Sequence, residues 1–246
     1  MPQHLHLRSA GLFFLLALGM CSGKPLQAQF VVERSPWLDD GRITETPVVQ
    51  TWQVTNSLTN EPLEAEFTVE GINPRRAVKL RIDEDTTMSL EPYRRYGRLC
   101  VESDFMLYSD YVYADPEVTA DTIRLEPLTI GLEAALPAIE FMPGTEELYF
   151  TSIPALEALL DFVEMHPTVA LAIIGHENDD SNAQLTSDRA SRNRARAVVQ
   201  YLVSSGVDAQ RLAVEGRGHH ELLYPNPQTP EEVEANRRIT VRVTNY

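Results

Sequence analysis

The hydrophobic period of this 246-residue chain changes once, and that change constrains the fold more than any other feature. From about Val48 to Leu128 the apolar residues alternate along short runs. Leu63, Ala65, Phe67 and Val69, for example, share one face of an extended strand. Ala77 to Ile82, Arg98 to Glu102, Met106 to Ala114 and Asp121 to Leu125 are further strand candidates. Turn residues separate them at Asn60-Glu61-Pro62, Asn73-Pro74 and Ala114-Asp115-Pro116. Short strands at this spacing predict a small β-sandwich over 48–128. They are too short and too charged for a membrane barrel, which needs at least about eight strands of roughly 9–11 residues.

From Ile139 the period becomes helical. Ile139 to Phe141 reads as a short strand, and Ser152 with Pro154 starts a helix whose apolar stripe is Ile153, Leu156, Leu160 and Val163. Val169 to Ile174 is a continuous apolar strand closed by Gly175. A second helix runs from about Thr186 to Ser205 and stops at Gly206. A strand at Arg211 to Glu215, a short helix near Pro230 to Ala235 and a last strand with Ile239, Val241 and Val243 inward complete a β-α-β-α-β-α-β order. The expected class is therefore α+β: a β-sandwich over 48–128, a linker at 129–135, and an α/β sandwich over 136–246. The loop Gly216 to Thr229 is long, is broken by Gly218, Pro225 and Pro227, and is expected at the surface near a site.

The N-terminus reads as an export signal. Arg8 precedes the apolar run Ala10 to Met20, which falls short of the roughly 20 residues a bilayer span requires. Cleavage after Ala28 makes 1–28 a signal peptide and 29–47 a linker; the lipobox-like Leu18-Gly19-Met20-Cys21 leaves lipidation of Cys21 as the alternative. Removing 1–28 takes away Arg8 and Lys24 and no acid from a formal charge already at −15. A field of that sign repels phosphate backbones and anionic lipid, which argues against nucleic acid as a partner. After such cleavage Cys100 is the one cysteine left, so no intramolecular disulfide is expected.

One residue on the second helix stands on the wrong face. Arg189, Arg192 and Arg196 project within about 60° of one another as a solvated stripe. Arg194 instead shares the side of Ala190, Val198, Tyr201 and Leu202, which must dock on the sheet. A guanidinium turned toward a core needs an anionic partner. Asp179, Asp180 or Glu215 could supply it internally; a ligand carboxylate, which matches the planar fork with two parallel hydrogen bonds, is the other reading.

The segment from about Leu136 to Val243 resembles the OmpA C-terminal-like, peptidoglycan-associated family. The matching residues are Ile139-Glu140-Phe141, Gly175-His176, Arg194-Ala195 with Val198, Tyr201 and Leu202, Gly216-Arg217-Gly218, and Asn236-Arg237-Arg238. The resemblance implies non-covalent binding of diaminopimelate in the peptidoglycan peptide stem, with Arg194 taking the carboxylate. The family's Gly-His-Thr-Asp is here Gly175-His176-Glu177-Asn178-Asp179-Asp180. Asn178 therefore stands at the acid's place, Asp179 one residue later is the candidate for the ammonium, and Thr186 or Ser187 is nearest the family's asparagine before the helix. The β-rich part resembles a carboxypeptidase regulatory-like module through Asn60 to Ala65 and Tyr108 to Tyr113; that resemblance names no ligand.

Other chemistries find little footing. His176, His219 and His220 have no metal-ligand spacing, and Gly216-Arg217-Gly218 lacks the third glycine of a dinucleotide loop. No Gly-x-Ser-x-Gly elbow occurs. The expectation is a non-enzymatic protein of the periplasm or outer membrane, without cofactor or metal, that holds peptidoglycan. The rival expectation is an interaction scaffold whose β-module recruits an envelope partner while the C-terminal fold binds nothing.

Overall fold

The structure, a computed structural model, describes residues 46–73, 76–83, 86–142, 145–178 and 184–246. The expected signal peptide, Cys21 and Asp179 lie outside the described residues. The N-terminal half is built from β1 (Val48–Asn56), β2 (Pro62–Leu63), β3 (Ala65–Asn73), β4 (Arg76–Ile82), β5 (Thr86–Leu90), β6 (Arg95–Cys100), β7 (Tyr108–Tyr113) and β8 (Ala120–Leu125). Two four-stranded sheets result. In one, β1 pairs antiparallel with β2 and β5 and parallel with β8; the other runs β4-β3-β6-β7.

Alternation explains the core between them. Ala65, Phe67 and Val69 of β3 and Trp52 and Val54 of β1 are buried in one cluster, as a period of two demands when one face of each strand is covered. Arg98 on β6 is buried in the same region. Its Nε donates to Asp110 Oδ1 at 2.9 Å and its Nη2 to Asp110 Oδ2 at 2.5 Å, both on β7. Nη1 donates to Asp121 Oδ2 of β8 at 2.5 Å, and the guanidinium lies 4.9 Å from the Trp52 ring. This ion cluster ties the two sheets together. Burial opposes the charge of Arg98, but the Asp110 hydrogen bonds outweigh it and hold the group above its ordinary range.

The C-terminal half follows the order β9 (Glu133–Ala135), α1 (Ile153–Met165), β10 (Ala170–Gly175), α2 (Gln184–Ser204), β11 (Leu212–Gly216), α3 (Pro230–Asn236) and β12 (Ile239–Asn245). Its sheet runs β11-β10-β12-β9. β10 and β11 are parallel, the geometry that a crossover helix such as α2 permits. β12 is antiparallel to both β10 and β9.

The first strand of this half is not where periodicity puts it. Ile139 to Phe141 forms no strand; Phe141 makes an isolated bridge to Leu148, while Leu136, Ala138 and Ile139 are buried as core-facing loop. The strand is Glu133–Ala135, inside the expected linker 129–135. Its sequence has weak β-propensity, and pairing with Thr240, Val241 and Arg242 of β12 imposes the extended state. The inward stripe of α1 is likewise shifted: Leu156, Leu159, Phe162 and Val163 are buried, whereas Ile153 is exposed. Ser152 Oγ makes no cap bond. It bridges the backbone N–H and C=O of Glu140 instead, at 2.8 and 2.9 Å.

The two halves touch. Leu99, Met106 and Leu107 belong to the same buried cluster as Phe162, Val198 and Val241. Both ring nitrogens of His166, at the end of α1, face carbonyl oxygens, Phe162 O at 2.7 Å and Ser103 O at 2.8 Å.

Candidate functional site

Two glycines bring α2 close enough to the sheet to form a site. A Cβ at Gly175 would overlap the backbone carbonyl of Ser191, and one at Gly216 would stand 2.6 Å from Asp188 O. α2 therefore rests on bare backbone at the ends of the parallel strands β10 and β11. The loop after β10 is pinned from both sides. His176 N donates to Arg238 O at 3.0 Å, and Glu177 N to Gly218 O at 2.8 Å. Asn236, fully buried, clips a neighbouring loop: its Oδ1 accepts from Tyr224 N at 2.9 Å while its Nδ2 donates to Tyr224 O and to Asn178 Oδ1, each at 2.8 Å.

Arg194 is 7% exposed and its guanidinium carbon lies 5.4 Å from the Phe141 ring centre. Among the described residues its partner is not Glu215, the one acid of the three considered from the sequence that the structure describes. Glu215 pairs with Arg242 at 2.5 Å, and Asp179 and Asp180 lie outside the described residues. Glu177 takes the role: its Oε2 stands 2.7 Å from Arg194 Nη1, with both side chains 9% exposed. The contact is an ion pair by distance but is out of line for a hydrogen bond. Among the described residues Arg194 Nη1 and Nε therefore have no hydrogen-bond acceptor. Buried donors left in this state cost about 1–3 kcal/mol each.

Glu177 is itself shared. Its Oε1 accepts from Arg237 Nε at 2.9 Å and from the Asn178 backbone N–H at 3.1 Å. One internal carboxylate thus serves two arginines, of which Arg237 has a second anion in Glu234, 3.0 Å from its Nη1.

Of the four expected binding residues, the structure brings Asn178 and Arg194 to the two sides of Glu177. Asn178 is buried, and its Oδ1 is occupied by Asn236. Thr186 falls inside α2, in its first turn, rather than before the helix. Asp179 lies outside the described residues. Ser187, the other residue considered near that helix start, is buried with its Oγ unpartnered among the described residues. A cavity of about 440 Å³ lies nearby between Glu146, Glu147, Asn193, Arg196 and Gln200; Arg194 does not line it.

Residues 140–237 match the OmpA family model. They form an OmpA-like domain. That span contains Glu177, Asn178, Arg194, Asn236 and Arg237. Among solved structures, the chain is similar to the periplasmic domain of Helicobacter pylori MotB, at 19% identity over 49% of this chain and 80% of that one, with a TM-score of 0.42. It is also similar to the cell wall anchor of the T6SS from Pseudomonas aeruginosa, at 24% identity over 43% and 75%, with a TM-score of 0.37. An outer membrane protein from Borrelia burgdorferi B31 is similar at 19% identity over 47% and 91%, with a TM-score of 0.38. A curated relative, the photosystem I P700 chlorophyll a apoprotein A2 of Gloeobacter violaceus, is 24% identical over 126 residues, which are 49% of this chain and 14% of that protein.

A second charged group joins His176 and Glu221 of the OmpA-like domain to Glu133 of β9. Ligand atoms of Glu133, His176 and Glu221 lie within 4.8 Å of one another. A cation already serves both acids: Arg217 Nη1 is 2.5 Å from Glu221 Oε2, and Nη2 is 3.2 Å from Glu133 Oε2. A metal ion would have to displace that guanidinium. Burial, and then the charge of Arg238, lowers His176 from 6.5 to about 4, so its ring is neutral at pH 7.

Proposed function

We propose that the OmpA-like domain binds the peptide stem of peptidoglycan non-covalently, with Arg194 receiving a stem carboxylate, and so tethers the outer membrane or an envelope complex to the wall. The observation that carries this reading is the incomplete satisfaction of Arg194: a buried guanidinium beside the Phe141 ring, with one off-axis anion and no acceptor for Nε among the described residues. A stem carboxylate is the planar, bidentate partner it lacks. We read Asn178, Asp179 and Thr186 as the residues around the ammonium end of diaminopimelate, and the protein as exported, non-enzymatic and without cofactor. The N-terminal sheets are read as a β-sandwich of the carboxypeptidase regulatory-like kind, ending near Leu128, that meets an envelope protein partner. Repetition of the stem along the polymer would let a weak single site hold by avidity if several copies engage.

The pairing of Glu177 with Arg194, and the neutral Asn178 at the acid's place, favour a second reading, an envelope scaffold whose OmpA-like domain binds no wall. Co-sedimentation with purified sacculi separates the two. The parent protein is expected to pellet with sacculi, and Arg194→Ala to weaken that binding by at least about tenfold, the equivalent of one charge-assisted hydrogen bond. Asp179→Ala is expected to weaken it less. Binding that Arg194→Ala leaves intact removes the proposed grip, and binding that never appears establishes the scaffold reading instead.

A further inference from the structure

We infer that Glu177 is a built-in competitor for the ligand carboxylate at Arg194, so that the site is closed by its own acid until a stem displaces it. This inference rests on the stem-binding reading above and adds a regulation to it. Two observations carry it.

The first is geometric. Glu177 Oε2 approaches Arg194 Nη1 to 2.7 Å but out of line, and Arg194 Nε has no acceptor among the described residues. A carboxylate meeting the guanidinium along its fork makes two aligned bonds, so an incoming carboxylate offers Arg194 more than Glu177 does.

The second is that Glu177 has somewhere to go. Its other oxygen is held by Arg237 Nε at 2.9 Å, and Arg237 sits at the C-terminal end of α3, about a third exposed, with its Nη1 donating to Glu234 at 3.0 Å. Giving up Arg194 does not leave Glu177 without a cation.

The test compares the full chain with Glu177→Gln and Glu177→Ala for binding to purified sacculi and to free diaminopimelate. Both variants remove the competing charge, and Gln keeps the shape. Each is expected to bind about tenfold more tightly than the parent, with the gain abolished by adding Arg194→Ala. Variants that bind as the parent does or more weakly, while the parent binds in an Arg194-dependent way, overturn the competitor role and leave stem binding standing. Absence of binding by the parent and by both variants overturns both. The parent supplies a readout that needs no variant: the Glu177 carboxyl carbon resonance should shift as diaminopimelate is titrated, and a constant resonance at saturation overturns the exchange.

Discussion

His176 shows how a single residue couples the sheet to solution pH. Its ring is almost wholly buried, and its Nε2 lies 3.1 Å from Thr240 Oγ1, which in turn donates to Glu133 Oε1 at 2.7 Å. That hydroxyl proton is spent on Glu133, so Thr240 accepts from Nε2–H and the neutral ring fits the network. The folded state takes up the proton only near pH 4, whereas the unfolded chain takes it up near 6.5. Between those values the unfolded state binds more protons, so stability falls as pH drops through the window. Urea midpoints measured from pH 7 to pH 4 should fall more steeply for the parent than for His176→Gln; superimposable curves would show that the ring is not kept neutral by the fold. Arg194 was legible in the sequence for a comparable reason, since helical projection alone turns it toward the core. Glu177 was not. It stands in a loop just beyond a strand, where no period fixes the direction of a side chain, and its partners are 17 and 60 residues away.

At the scale of elements, the glycines that looked like family landmarks turn out to be contact surfaces. Gly175 ends β10 directly beneath Ser191 of α2, and Gly218 N donates to Ser191 Oγ at 3.0 Å, so strand, helix and following loop meet at one place. Any side chain at 175 must push α2 off the sheet or bend β10. Gly175→Ala should cost about 3 kcal/mol, the upper end of ordinary overpacking, and a urea melt followed by circular dichroism measures it. A variant within about 0.5 kcal/mol of the parent, the range of ordinary surface changes, would mean the helix sits further out than this packing requires. The long helices and the strand Ala170–Gly175 were readable because length and continuous apolarity override local ambiguity. β9 was not, because three residues of Glu-Ala-Ala carry no strand signal and only β12 makes them one. β1 and β5 were no clearer as individual strands: Val48 to Asn56 mixes polar with apolar residues, and buried Gln50, whose Oε1 accepts from Trp52 Nε1, interrupts the alternation.

The whole molecule is joined through a strand whose alternate residues face different cores. On β6, Leu99 packs with the cluster of the helical half, whereas Tyr96 and Cys100 pack within the β-rich half. Five of its six residues are consequently buried, a pattern a strand shows when both faces are covered. Unfolding either half should therefore strip one face of β6 and weaken the other. Cys100 reports on this directly. Burial, and after it the carboxylates of Glu102 and Glu66, push its thiol well above the usual range, so the folded protein holds it as an inert, inaccessible thiol. Alkylation by iodoacetamide should be negligible in native buffer and should rise with urea at the same midpoint as the loss of helical circular dichroism, even though the described α-helices all lie in the other half. Coincidence of a thiol in one half with the helices of the other is the signature of a single cooperative transition. Labelling that precedes the loss of helix would instead mean that the β-rich half opens alone, and that Leu99, Met106 and Leu107 contribute too little across the junction to couple the two.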